Sequence, residues 1–219
     1  MTWDWSYVAR IAPGLGWGLI TALIAAMLGF ALALVLGLGL AVARRSGTAS
    51  LRVPATVFAR CVRNTPLLLQ LFVVWYLLPQ AGLPLVPLAA GIITLGLHYA
   101  SYVSDAHLAG IDGVGVGQWD AATALHLSRR RTWTSVIIPQ AVPRVVGALG
   151  GLLVALFSDV PQLVVIAVAE PISVATTDIA QSFKPFEAIT TAAALYLGIT
   201  LLLGRVGRLV ESRYGTIPA

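Results

Sequence analysis

The sequence predicts an all-α membrane protein with five transmembrane helices, the N-terminus outside and the C-terminus cytoplasmic. Three observations carry this prediction. Apolar residues make up 58% of the chain and charged residues only 11%, where a soluble domain holds roughly 25% charged residues, and mean hydropathy is +0.87. Long stretches carry no charge at all; Gly14 to Val42 is one, and it exceeds the ~20 residues that cross a bilayer. The basic residues are also unevenly placed. Arg44, Arg45, Arg52, Arg60, Arg63, Arg129, Arg130, Arg131, Arg144, Arg205, Arg208 and Arg213 fall in segments that this topology puts inside, and only Arg10 and Lys184 fall outside. Such asymmetry is the positive-inside signature, so the net charge of +5 describes membrane orientation and calls for no nucleic-acid partner.

The five spans follow in order. The first lies near 14–42, and Trp3, Trp5 and Trp17 suit anchoring at its interface. Its apolar run is too long for a secretory signal, and Asp4 precedes the first basic residue, so the span is expected to remain in the mature protein. The uncharged stretch Asn64 to Ser104 is interrupted by Pro79, Gly82, Pro84 and Pro87, and reads as a second span near 64–79 and a third near 87–106 joined by a tight outer turn. The fourth lies near 143–169 and the fifth near 187–205, within a single transmembrane domain of residues 1–219. A cytoplasmic loop occupies 112–140.

That loop holds Gln118-Trp119-Asp120-Ala121-Ala122-Thr123-Ala124-Leu125-His126-Leu127-Ser128 and then Arg129-Arg130-Arg131. It reads as a short helix with Asp120 in its first turn and the arginines at its end, both charges complementing the helix dipole. Ala121, Ala122 and Ala124 keep one side thin enough for another protein to approach the backbone. A plain capped surface helix would have the same features.

Other chemistry is sparse. No phosphate-binding loop exists and the single lysine, Lys184, is placed outside, so the chain is not expected to hydrolyse ATP alone. Gly113, Gly115 and Gly117 follow no strand, and read as a flexible lead into the loop helix. The lone Cys61 cannot form an internal disulfide. His98, His107 and His126 are scattered without metal-ligand spacing, and neither a metal site nor a cofactor is expected. Ionisable residues inside spans are costly and point to function. Asp159 falls in the middle of the fourth span, two residues before Pro161, where a missing backbone donor kinks or opens a helix. The polar spot so formed suits a translocation path, although a helix contact is the competing reading. Asp105, at the inner end of the third span, is equally well explained as a carboxylate reaching the interface. Gly147, Gly150 and Gly151 read as sites of close helix packing.

The loop segment, followed by Ile138-Pro139-Gln140-Ala141, resembles the cytoplasmic coupling loop of ATP-binding cassette (ABC) importer permeases. The resemblance extends to their polar amino acid group through Arg63-Asn64-Thr65-Pro66-Leu67-Leu68-Leu69-Gln70, Tyr102 to Asp105, and Phe183-Lys184-Pro185-Phe186-Glu187. Trp3-Asp4-Trp5, Gly96-Leu97-His98-Tyr99-Ala100-Ser101-Tyr102 and the loop itself look like permeases for ectoine and hydroxyectoine. Departures from the family pattern are Asp120 for Glu, His126 for Gly, Asn64 for Gly, Leu108 for Arg and Ser158 for Lys. His126, standing where a missing side chain would allow tight packing, is expected to need a compensating pocket in the ATPase.

The resemblance implies a type I ABC importer permease in the bacterial plasma (inner) membrane, taking up a small polar or zwitterionic solute. It implies a non-catalytic subunit whose partners are cytoplasmic ATP-binding subunits, a second permease subunit, an extracytoplasmic solute-binding protein and the lipid bilayer. ATP would be bound by a partner. The ATPase would engage Gln118, Trp119, Asp120, Ala121, Ala122, Leu125, His126, Leu127, Ser128 and Pro139, and the solute path would use Asp159, Pro161, Tyr102, His98 and Asp105. The alternative is an ATPase-independent secondary transporter or channel, against which five spans without an inverted second half argue.

Overall fold

The computed structural model describes residues 3–215, and every regular element it contains is helical. Asp4 caps α1 (Trp5–Arg44) by accepting the Tyr7 N–H, and its carboxylate also pairs with Lys184 at the foot of the last helix. Lys184, the Ser6 hydroxyl and the Tyr7 N–H together hold Asp4 well below the usual carboxylate range. One face of α1 is a ladder of buried small residues: Gly18, Ala22, Ala25, Ala26, Gly29, Ala33, Gly37 and Ala41. This spacing of three and four lets α1 lie almost backbone to backbone on α5 (Pro87–Asp112). A Cβ on Gly37 would sit 2.5 Å from Val103 Cγ1, and one on Gly96 2.6 Å from Leu32 Cδ2.

Between these helices the chain departs from a simple span. Residues 49–64 form a separate amphipathic helix, α2 (Ala49–Asn64). Thr65, placed in the extended region by Pro66, ends it. The chain then turns through 107° into a helical stretch from Leu67 to Gln80. That stretch comprises α3 (Leu67–Phe72), a π-helical turn (Val73–Leu77) and α4 (Leu78–Gln80). At about 1.5 Å per residue it is roughly 21 Å long, short of the ~30 Å hydrocarbon core.

Beyond α5 come α6 (Val116–Ala124), α7 (Arg129–Arg131), a second π-helical turn (Thr132–Ile137) and α8 (Ile138–Asp159). Each π turn directly precedes an Xaa-Pro pair, Leu78-Pro79 and Ile138-Pro139. A proline ring collides with the carbonyl four residues back, here Trp75 and Ser135, and widening the turn relieves the collision. After α8 the helix narrows to a 3-10 segment (Val160–Ile166) that stops at the left-handed Ala167, and α9 (Pro171–Ser182) and α10 (Pro185–Tyr214) complete the chain. Asp159 thus lies at the end of an α-helix, and Pro161 tightens the chain where the sequence suggested a mid-span kink.

Among the described residues three helical stretches are long and apolar enough to cross a membrane: Trp5–Arg44, Arg129–Ile166 and Pro185–Tyr214; the bent pair would make a fourth if counted as one. The central helix α5 is not among them. Its Thr94, His98, Ser101 and Ser104 lower its hydropathy, yet all four are buried in protein. Gly150 performs the close packing its sequence context suggests, since a Cβ there would lie 3.4 Å from Gly207 Cα on α10; one on Gly151 would meet only open space.

Candidate translocation cleft and coupling helix

A cleft of about 500 Å³ opens where the end of α2, the start of α3, α5 and the end of α8 meet. It gathers His98, Tyr102 and Asp159, three of the proposed path residues, and adds Arg63, Asn64 and Gln162. Asp159 is held from two sides: Tyr99 donates its hydroxyl to Oδ2 at 2.7 Å, and Gln162 Nε2 donates to Oδ1 at 2.9 Å. The rings of His98, Tyr99 and Tyr102 lie 5.4–5.8 Å apart in one aromatic cluster on α5. Gln70 Nε2 approaches His98 Nδ1 at 3.0 Å and donates to the carbonyls of Val62 and Thr65, which pins the bend between α2 and α3 beside the cleft.

Asp105 and Pro161 do not line the cleft. Asp105 is a junction and not merely a group reaching the interface. It accepts from Arg44 Nη1 of α1 at 2.6 Å and pairs with Arg63 of α2, while Ser104 accepts a second bond from Arg44 at 2.9 Å. Two guanidiniums share one carboxylate. One positive charge is left over at this junction, and Arg63 lines the same cleft as Asp159.

The loop helix differs from its sequence reading in charge placement. Asp120 is the fifth residue of α6, beyond the first turn, and Arg129–Arg131 open the next helix, whose cap Ser128 accepts the Arg131 N–H. The arginines therefore do not complement the end of α6. Ala122 is 3% exposed and faces the protein, so it offers nothing to a partner, whereas Asp120, Ala121, Ala124 and Leu125 are exposed. Trp119 packs edge-to-face on Trp133 at 5.4 Å, beside a small core of Val114, Ile137 and Ala141. Gln140 Nε2 donates to Gln118 Oε1 at 3.1 Å, a further tie between α6 and α8. Pro139 is exposed at the foot of α8, and Leu127 is half-buried.

His126 has φ of +48°, the left-handed position that follows a helix. Its N–H bonds the Thr123 carbonyl and the Leu127 N–H bonds the Ala122 carbonyl, both at 3.0 Å, which is a complete Schellman stop. The need for glycine here is a backbone need, not the packing need inferred from sequence. His126→Gly is expected to stabilise the folded chain by about 1 kcal/mol, since a side chain in the left-handed region costs roughly 1–2 kcal/mol. A denaturant titration in detergent checks this, and an unchanged midpoint would refute it.

The chain matches, over residues 33–216, the family described as binding-protein-dependent transport system inner membrane component. It belongs to that family. The permease is 39% identical over 96% of its length to the probable amino-acid ABC transporter permease protein y4tG of Sinorhizobium fredii, of which 93% is covered. It is 32% identical to the glutamine transport system permease protein GlnP of Escherichia coli strain K12, over 97% of this chain and 98% of that one. A solved structure of an amino acid ABC transporter with histidines superposes with a TM-score of 0.91 at 29% identity, covering 97% of this permease and all of that chain. The inward-facing MetNI methionine ABC transporter shares the fold, with a TM-score of 0.75 at 17% identity. The permease is therefore an inner-membrane subunit of an ABC importer, and the ATPase-independent alternative is set aside.

Several residues of the permease were not singled out by sequence reasoning. Glu170 is fully buried and caps α9, its carboxylate accepting from Ile172 N at 2.8 Å, Ser173 N at 2.7 Å and the Tyr196 hydroxyl at 2.6 Å. An acidic residue directly before Pro171 was a readable helix-start signal. Gln162, one helical turn beyond Asp159, was also readable. The Arg44–Asp105–Arg63 junction joins residues 61 and 42 apart in sequence, and no local pattern announces it.

Proposed function

We propose that this permease passes a small zwitterionic solute, an amino acid or an ectoine-type compatible solute, through the cleft between α2, α5 and α8. One observation carries the reading: Asp159 and the surplus-positive Arg63 line the same cleft, opposite charges matching those of a zwitterion. The aromatic cluster beside Asp159 would favour a delocalised cationic head. The names of the y4tG and GlnP relatives support an amino acid, and the resemblance of the Trp3-Asp4-Trp5 and His98-to-Tyr102 segments supports ectoine. Five spans with the N-terminus outside would accommodate this path, with the buried α5 and the short, largely exposed Leu67–Gln80 stretch making up the count. Uptake of labelled ectoine, proline, glutamine and arginine by the reconstituted transporter tests the solute class. Transport of none of them would overturn it.

Energy would enter through the outward face of α6, where Asp120, Ala121 and Leu125 stand clear and Leu125 is 72% exposed. Ala121→Trp should reduce solute-stimulated ATP hydrolysis roughly thirtyfold, the effect of about 2 kcal/mol lost at an interface hot spot, while the permease still inserts. Wild-type stimulation in that variant would remove α6 as the ATPase contact. Ala122→Trp is the wrong probe, because that side chain points into the permease itself.

A further inference from the structure

We propose that α2 is an interfacial helix that binds anionic lipid on the arginine-bearing side of the membrane. Its apolar arc would lie in the acyl region, with Arg52 and Arg60 on lipid phosphates.

Only Ala55 and Ala59 of α2 are buried in the protein. At 100° per residue, Leu51, Val53, Val57, Phe58 and Cys61 fall on one broad arc, and all are exposed, Leu51 at 58% and Val57 at 52%. Arg52 and Arg60 fall on a different arc, exposed and without an ion-pair partner among the described residues, whereas Arg63 is taken by Asp105. No acidic residue occurs anywhere in Ala49–Asn64. The segregation of a broad apolar face from a purely cationic one is that of a helix lying in a bilayer surface. The 107° turn into the Leu67–Gln80 stretch means that both halves cannot run along the membrane normal. Sixteen residues are also too few to span, where ~20 are needed. The helix begins four residues beyond Arg45, and its last turn reaches Asp105, so it crosses the ends of α1 and α5 on the side where the basic residues cluster.

The single cysteine of the chain lies on the apolar arc and serves as the probe site. The full-length permease, spin-labelled at Cys61, is placed in nanodiscs of phosphatidylcholine alone or mixed with phosphatidylglycerol. Collisions with oxygen should exceed those with a water-soluble nickel chelate several-fold, and a label at Arg60→Cys in a Cys61→Ser background should show the reverse. Each basic side chain near an anionic surface favours binding by roughly fivefold. Arg52→Gln combined with Arg60→Gln should therefore weaken the preference for spin-labelled phosphatidylglycerol by up to roughly thirtyfold, while leaving the Cys61 label in the acyl region. A Cys61 label open to the chelate in both lipids overturns the proposal. So does a label shielded from both reagents and broadened by a second nitroxide nearby, which would put the apolar arc against another copy of the chain. An unchanged lipid preference in the double variant removes the anionic-lipid part.

Discussion

Asp159→Asn is expected to lower uptake of a zwitterionic or cationic solute by roughly 10- to 100-fold, with much smaller effects on ATP hydrolysis. The carboxylate accepts from Tyr99 on one oxygen and from Gln162 on the other. An amide offers only one acceptor, so one of these donors would face an NH₂ group and the local arrangement would loosen. The larger loss is charge. A unit charge 4 Å away contributes about 4 kcal/mol at an effective dielectric of 20, and a hydrogen bond to a charged group contributes about 1.5–3 kcal/mol, so the estimate takes the lower part of that combined range. Asp159→Glu keeps the charge and should retain more uptake than the amide. Initial-rate uptake and solute-stimulated ATPase activity, measured on the same proteoliposomes, separate passage from coupling. Equal uptake and unchanged solute preference in Asp159→Asn would leave the residue as a joint between α5 and α8 and nothing more.

Glu170→Ala should cost about 2–4 kcal/mol of stability. The change removes a helix cap, about 1 kcal/mol, and strands the buried Tyr196 hydroxyl, about 1–3 kcal/mol. It also disturbs a tight junction. A Cβ on Gly18 of α1 would come within 2.9 Å of the Glu170 carbonyl carbon and the Pro171 nitrogen, so three helices meet at this point with no slack. Glu170→Gln, which keeps one acceptor oxygen, should lose less. Unfolding midpoints in mild detergent rank the three proteins, and an alanine variant as stable as the parent would show that the buried carboxylate is dispensable.

Much of the transmembrane body was legible because uncharged runs survive averaging: Gly14 to Val42 lies inside α1, and the runs on either side of Pro79 to Pro87 end up in separate helices. What failed was local. His126 hid a helix stop, because the Schellman turn there lacks the glycine that usually marks it, and so Asp120 and Arg129–Arg131 were read as the two ends of one helix. The break that Pro66 imposes after Asn64 was not read from the sequence, and residues 49–64 were placed only as an inner segment, because their valines and arginines segregate only when wound on a helix. Asp159 was recognised from its cost in an apolar segment, and its donors Tyr99 and Gln162 were not, since one lies on another helix and the other required knowing that residues 160–166 stay helical. The Asp105 junction depends wholly on tertiary placement.

A π turn holds one residue more than the α turn it replaces, and the segment Thr132–Ile137 stands between α6 and the helix that carries Asp159. Were the turn to close to α geometry with all its residues kept, the extra residue would add about 100° of rotation, and everything on its N-terminal side would swing by that amount around the axis of α8. Trp119 would leave Trp133, and the exposed face of α6 would point elsewhere. The π turn held open by Pro139 therefore acts as a phase setting, which fixes the direction in which the exposed face of α6 points.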